Sequence, residues 1–154
     1  MTEIQITSIM LKWYNYTEHD IGDKSCARTK FCRKTRKLIY EEFDGYRNII
    51  KRVELSVSRN ETNGFFEFLT SHEHLITQQK DYIVKVCDGS AWEMNLRHSN
   101  NFIVKLQGTV LYPPCGKHIE IQIQSFLKTA GIAEPCLFGC VQTYSDFRDI
   151  KKRM

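Results

Sequence analysis

The stretch DGSAWEMNLRHSNNFIVKLQG, residues 88–108, decides the fold of this chain. Apolar side chains alternate with polar ones along its first half, so that Trp92, Met94 and Leu96 share one face of an extended segment. The polar cluster at residues 99–101 provides turn chemistry before a second run of the same rhythm. The sequence therefore predicts two antiparallel strands that are joined by a tight turn and buried on one face.

The same alternation of apolar and polar residues also occurs in the runs before and after the strand that contains Trp92. One run precedes the Asp88-Gly89 pair and another follows the polar cluster. The apolar members of these two runs are Tyr82, Val84, Val86, Phe102, Val104 and Leu106. The pattern predicts a three-strand antiparallel meander over residues 81–112.

Two segments change to helical spacing. Ser58 stands three residues before Glu61, which is the pattern of a capping box, and predicts a helix over 58–71. A second helix is predicted over 114–131, with Gly131 at its C-terminal cap. Its apolar stripe consists of Ile119, Ile123, Phe126, Leu127 and Ala130. We expect one core, formed by Trp92, Met94, Leu96, Val104 and Phe126, because the sheet face and this stripe each need an apolar partner.

The N-terminal part is also rich in strand formers. An Asp44-Gly45 pair between two β-prone runs predicts a hairpin of residues 36–43 with 46–57. The second of these strands has Ile49, Val53, Leu55 and Val57 on its apolar face, where Lys51 is the exception. The opening run EIQITSIMLKWYNY adds an N-terminal strand.

Length and composition predict one domain. The chain has 154 residues, of which 42% are hydrophobic and 26% charged, the profile of a globular domain with a single core. We expect an α+β fold, an antiparallel sheet of hairpins and a three-strand meander with two main helices packed on one face. Within 1–154 the parts are the N-terminal strands and a basic hairpin (1–57), the helix (58–71), the meander (81–112), the second helix (114–131) and a tail packed on this frame (132–154).

Three segments together resemble a known type of domain. They are YEEFDGYRNII, then VCDGSAWEMNLRH, and then GTVLYPP before an amphipathic helix. This order is similar to that of small uncharacterised α+β domains from low-GC Gram-positive bacteria and their mobile elements. The resemblance covers roughly residues 36–131 and implies the fold, but it contains no catalytic signature.

The N-terminus has no leader pattern and no apolar run is long enough to span a bilayer, so we expect a cytoplasmic protein with no membrane partner. Cytosolic thiols stay reduced, and we expect free cysteines that pack the tail onto the sheet. The alternative is a zinc site built from the two pairs Cys26/Cys32 and Cys136/Cys140, although their spacings are not those of common zinc knuckles. His118, near Cys115, is a further candidate for thiol chemistry. We predict no cofactor.

Positive charge is concentrated in one stretch. Residues 24–37, KSCARTKFCRKTRK, hold seven basic side chains and no acidic one; the rest of the chain has 22 − 7 = 15 basic and 18 acidic residues. The candidate binding patch consists of Arg28, Lys30, Arg33, Lys34, Arg36 and Lys37. Such a patch could bind the backbone of a nucleic acid or an acidic protein. The alternative is a strand edge whose cations prevent edge-to-edge pairing.

Motifs for nucleotide binding, hydrolysis or kinase chemistry do not occur in the sequence. Two hypotheses of function follow. The first is a non-enzymatic interaction module that binds a protein or an acidic polymer, with a phage or mobile-element inhibitor of a host defence system such as CRISPR as one form. The second is a small metal- or thiol-dependent enzyme that uses the cysteine pairs.

Overall fold

A computed structural model describes residues 4–16, 25–44, 48–82, 89–109 and 111–138. The described residues form seven strands and three helices. The strands are β1 (Ile6–Tyr16), β2 (Ser25–Cys32), β3 (Lys37–Phe43), β4 (Ile49–Ser56), β5 (Asp81–Tyr82), β6 (Gly89–His98) and β7 (Ile103–Gly108). The helices are α1 (Arg59–Ser71), α2 (Glu73–Ile76) and α3 (Gly116–Lys128). No helix in these ranges is long and apolar enough to cross a membrane.

The seven strands form one sheet in the order β4-β3-β2-β1-β6-β7-β5. The β3–β4 hairpin and the antiparallel β6–β7 pair occur as the sequence predicts. The prediction of a purely antiparallel sheet is wrong, because β5 pairs in parallel with β7 and not with β6. The α+β class is confirmed, with a mixed sheet in place of an antiparallel one.

Strand β1 lies in the middle of the sheet and not at its border. It pairs antiparallel with β2 on one side and with β6 on the other. Ile9 faces Phe31 of β2 and Leu96 of β6, and all three side chains are at most 2% exposed. Strand β1 therefore joins the N-terminal hairpins to the β6–β7 pair. Apolar residues on both sides of β1 stabilise this junction.

Local capping signals fix the two long helices. Glu61 N–H donates to the Ser58 hydroxyl at 3.2 Å, and that hydroxyl donates to the Glu61 carboxylate at 2.9 Å, which confirms the capping box. At the end of α3, Gly131 adopts a φ of 88°, and the Ile132 N–H donates to the Leu127 carbonyl at 3.1 Å. The prediction of two helices missed α2, which is a single turn of four residues.

The two long helices supply rings to the same side of β2. The Phe31 ring lies 5.2 Å from that of Phe65 on α1 and 5.8 Å from that of Phe126 on α3. The predicted core is confirmed, and its members belong to one buried cluster or pack directly against it. Apolar burial at about 25 cal/mol per Å² is the main stabilising contribution of this layer.

Two exposed residues show where alternation alone misplaces a side chain. A register shift between Glu42 and Phe43 interrupts the β3–β4 pairing, and Ile49 beyond it is 51% exposed instead of sharing the apolar face of Val53. Phe102 precedes the start of β7 and is 63% exposed. A bulge adds a residue and moves later side chains out of phase, which the sequence pattern does not reveal.

The segment after α3 packs on the frame as far as it is described. Leu137 and Phe138 are buried, and the Phe138 ring meets Trp92 edge-on at 5.2 Å. The Trp92 indole N–H donates to the Leu111 carbonyl at 2.8 Å. A methyl group on Gly108 would lie 2.5 Å from the Trp92 ring, so only glycine leaves room for it. The tail beyond residue 138 lies outside the described residues.

Truncation of Trp92 should destabilise the protein strongly. Trp92→Ala removes a side chain that is 0% exposed and leaves a cavity between the sheet and residues 111–138. We expect a loss of about 3–5 kcal/mol in the free energy of unfolding, measured by urea denaturation followed by circular dichroism.

Trp13 provides the matched control. Its indole N–H is buried with no hydrogen-bond partner among the described residues, whereas that of Trp92 is paired. Trp13→Phe should therefore cost less than Trp92→Phe, because the first removes an unpaired donor and the second leaves the Leu111 carbonyl without one. Equal costs of the two substitutions would contradict this account of the core.

Candidate functional site: a cationic groove

The basic stretch lies in the interior of the sheet. Its described residues, 25–37, occupy β2, the turn at 33–36 and the start of β3. Strands β2 and β3 each have a hydrogen-bonded neighbour on both sides. The interpretation of this stretch as a guarded strand edge is therefore wrong, because the strands that carry it have no free edge.

Half of the predicted patch is engaged in pairs. Arg28 donates to the Glu41 carboxylate at 2.9 Å and lies over the Phe43 ring. Arg33 donates to Gln5 at 3.1 Å. Lys37 lies 4.0 Å from the Glu54 carboxylate. Arg36 is exposed in the turn with a φ of 58°. The six cations thus do not form one continuous surface.

The other two cations, Lys30 and Lys34, contribute to a groove of about 890 Å³ on a face of the sheet. The groove is lined by β1, β2, β6, β7 and the turns that follow β2 and β6, with no contribution from a described helix. Arg97 and Lys105 complete its charge. All four cations are exposed, no acidic residue lines the groove, and none of the four forms an ion pair with a described carboxylate.

Strand register arranges the groove in two rows. The first row, read across the sheet, is Lys30, Met10, Asn95 and Lys105. The second is Cys32, Ser8, Arg97 and Ile103. Neighbouring strands lie about 4.8 Å apart, so the two lysines that border the first row stand about 14 Å apart at their Cα atoms. Their fields overlap in the groove at a Debye length of about 8 Å.

The floor between the cations combines apolar and hydrogen-bonding side chains. Met10 and Ile103 supply apolar surface, while Ser8 and Asn95 supply hydroxyl and amide groups. The one phenylalanine in the lining, Phe31, is 1% exposed and packs in the core. Within the part of the chain that the structure describes, the groove therefore has no exposed aromatic ring on which a base could stack.

Cys32 lies in the groove beside Lys34. Burial opposes ionisation of its thiol, but hydrogen bonds from the backbone and side chain of Thr35 and from the backbone of Lys34 outweigh it, so the pKa of Cys32 is below its usual value. The nearby Lys34 ammonium acts in the same direction. A lowered pKa increases the fraction of the thiol that is present as thiolate, the reactive form, at a given pH.

The other cysteines are placed differently. Cys26 and Cys32 stand at the two ends of β2, roughly 20 Å apart along the strand, so they cannot ligate one ion. Cys136 lies by β3, where its N–H donates to the Tyr40 hydroxyl at 2.8 Å. Burial and the Glu42 carboxylate raise the pKa of Cys136. Cys140 lies outside the described residues, and within them no three His, Cys, Asp or Glu side chains are arranged to hold a metal.

The histidine candidate packs against the helices. The rings of His72 and His118 both stack on the ring of Phe68, at centroid distances of 4.2 and 4.1 Å. Burial raises the pKa of Cys115, which keeps that thiol protonated. A Cys115 and His118 pair therefore does not have the features of an activated nucleophile.

Arg97 and Lys105 are the residues that sequence reasoning missed. Both lie outside the basic stretch, on the polar faces of β6 and β7. Strand β1 lies between these two strands and β2, which carries Lys30. The alternation in residues 88–108 indicates their face, but the position of β1 between β2 and β6 is what brings the charges together. No protein-family model and no curated protein matches the sequence.

The lowered pKa of Cys32 should be visible in its reactivity. Cys32 should react with iodoacetamide faster at neutral pH than Cys115 or Cys136, whose pKa values are raised by burial. The rate for each thiol is measured by mass spectrometry of the peptides as a function of pH. The inflection for Cys32 should fall at the lowest pH of the three.

Thr35→Val is the matched test, since it keeps the size of the side chain and removes its hydroxyl. The inflection for Cys32 should move to higher pH, whereas that for Cys136 should stay in place. Equal reactivity of the three thiols in the native protein would show that the turn does not stabilise the thiolate.

Proposed function

We propose that this protein is a non-enzymatic binding module that holds an acidic segment of a partner protein in the cationic groove. The observation that carries the proposal is a concave surface with four exposed cations and, among the described residues that line it, no acidic one. Complementary charge of this kind favours encounter with an anionic partner and fixes its orientation.

An acidic protein segment suits the groove better than a nucleic acid does. Proteins that bind single strands combine positive charge with exposed aromatic rings, and the lining has no such ring. Met10 and Ile103 instead offer apolar contacts between the cations. A segment that carries both carboxylates and apolar side chains would satisfy the two parts of the floor together.

Blocking an acidic surface of a host defence complex is one form that this function could take in a phage or mobile element. The chemistry supports only the class of partner, which is an acidic segment. The hypothesis of a metal- or thiol-dependent enzyme has less support, because β2 separates two of its four cysteines.

Removal of the four cations should weaken binding of an acidic probe. The probe is a fluorescent peptide of repeated Glu-Glu-Leu, and the variant carries Lys30→Gln, Lys34→Gln, Arg97→Gln and Lys105→Gln. Four exposed ion pairs at about 0.2–1 kcal/mol each predict a loss of affinity between about fourfold and several hundredfold. Fluorescence anisotropy at two salt concentrations measures the affinity, which should fall as salt is raised.

The control variant removes four exposed cations outside the groove, at Arg36, Lys37, Lys80 and Lys128. Its net charge equals that of the groove variant, so it should keep the affinity for the peptide. Bound peptide should also slow alkylation of Cys32, which lies in the groove.

Two results would contradict the proposal. Equal weakening by both variants would mean that net charge, and not the groove, determines binding. Tighter binding of single-stranded or duplex oligonucleotides than of the peptide, lost in the groove variant, would assign the groove to nucleic acid. A peptide with Gln in place of Glu should not bind, since it carries no charge.

A further inference from the structure

The edge strand β4 has a feature that the groove does not use. It spans eight residues, from Ile49 to Ser56, and β3 is its one neighbour in the described sheet. Arg52 and Glu54 lie two residues apart and are both exposed. Residues two apart on a strand point to the same face, so this edge carries one positive and one negative side chain side by side.

The outward-pointing backbone groups of β4 include those of the same two residues. Val57 N–H donates to the Arg36 carbonyl at 2.9 Å, so the backbone groups of Val57 point toward β3. Backbone groups alternate in direction along a strand, and those of Arg52, Glu54 and Ser56 therefore point away from the sheet. These groups are available to pair with another strand.

We propose that β4 pairs antiparallel with β4 of a second copy of this chain, about a twofold axis beside Val53. Arg52 of each copy then stands opposite Glu54 of the other. The two sheets become one continuous sheet across the axis. The bond pattern is that of an ordinary antiparallel ladder, in which Arg52 and Glu54 exchange backbone hydrogen bonds with the opposite copy.

Charge selects this register from its neighbours. Two β4 strands can pair only where residues whose backbone groups point away from the sheet stand opposite one another. The register can therefore shift only in steps of two residues. One step in one direction places Arg52 opposite Arg52, and one step in the other places Glu54 opposite Glu54. Like charges directly opposite are unfavourable, and the register centred on Val53 is the one that pairs opposite charges twice.

The register also extends a row of charge that is present within one copy. Arg28 contacts Glu41, and Arg52 lies 3.8 Å from the same carboxylate. In the pair of copies Glu54 of the second copy continues this alternation beyond Arg52. On the other face the half-buried Val53 stands opposite Val53 of the second copy, and Leu55 stands opposite the exposed Lys51.

The twofold axis runs perpendicular to the sheet, so both copies present the same face to the same side. If the proposed function is correct, the pair of copies has two cationic grooves on one face. Two linked sites bind a long acidic partner more tightly than either one does alone. The pairing itself does not depend on the groove, and it is tested in the absence of any partner.

The experiment uses complementary charge variants of the full chain. Multi-angle light scattering over micromolar to millimolar concentration should give a mass that rises toward twice 18.1 kDa for the native protein. An interface of one strand pair is small, so the pairing is weak and depends on concentration. Arg52→Glu and Glu54→Arg should each be monomeric, because each places like charges opposite one another.

An equal mixture of these two variants should pair again. One partner then has Glu at both positions and the other has Arg at both, so opposite charges meet twice. Glu67→Arg is the control, a reversal of the same kind at an exposed position on α1. It should pair as the native protein does. Circular dichroism verifies that each variant is folded.

Glu54→Pro is a second variant for the case in which a charge reversal disturbs the fold. It removes an N–H that points away from the sheet and no hydrogen bond to β3, so the strand should persist while the pairing is lost. A native protein that stays monomeric at the highest concentration would overturn the proposal. So would a Glu54→Pro variant that still pairs, or a charge-variant mixture that stays monomeric while each variant is folded.

Discussion

The structure depends on strand β1, which is hydrogen-bonded on both sides. It joins hairpins formed by residues 25–56 to a pair of strands formed by residues 89–108. Because it is central, its side chains serve two surfaces at once. Ile9 and Leu11 belong to the core, whereas Ser8 and Met10 lie in the floor of the groove. One alternating strand therefore couples the stability of the fold to the shape of the candidate site.

The arrangement of charge follows from the same constraint. Cations from distant parts of the sequence meet because β2 lies on one side of β1, while β6 and then β7 lie on the other side. Outside the groove, the basic residues of the same face are balanced by carboxylates; Arg28 and Arg52 share the buried Glu41. Inside it there is no such balance. The groove thus gathers four cations with no carboxylate among the described residues that line it.

Local sequence signals determined much of the fold. The capping box at Ser58, the glycine after α3 and the alternation around Trp92 each have a local physical cause, and each prediction is confirmed. The parallel pairing of β5 could not be predicted, because it depends on which strand lies next to β7 and not on any local pattern. Helix α2 has only four residues, too few to show the apolar spacing that identifies a helix in a sequence.

The site was less accessible to sequence reasoning. A run of cations identifies a charged segment, but Arg28 and Lys37, which share a face of the sheet with Lys30, are paired with the carboxylates of Glu41 and Glu54. Lys30 remains in the groove while Arg33 turns toward Gln5. Strand order decides which other cations join Lys30, and a single sequence contains no direct information on strand order.

The central position of β1 also affects how the chain is synthesised. Its hairpin partner β2 follows closely, but β6 leaves the ribosome only after roughly 80 further residues. At about 5–20 residues per second, the second edge of β1 stays unpaired for about 4–16 seconds. During that time the nascent chain exposes Ile9 and Leu11 on an open strand edge, which is a template for misassembly. The topology therefore makes the N-terminal half of the nascent chain the part most exposed to pairing with a wrong strand before synthesis reaches β6.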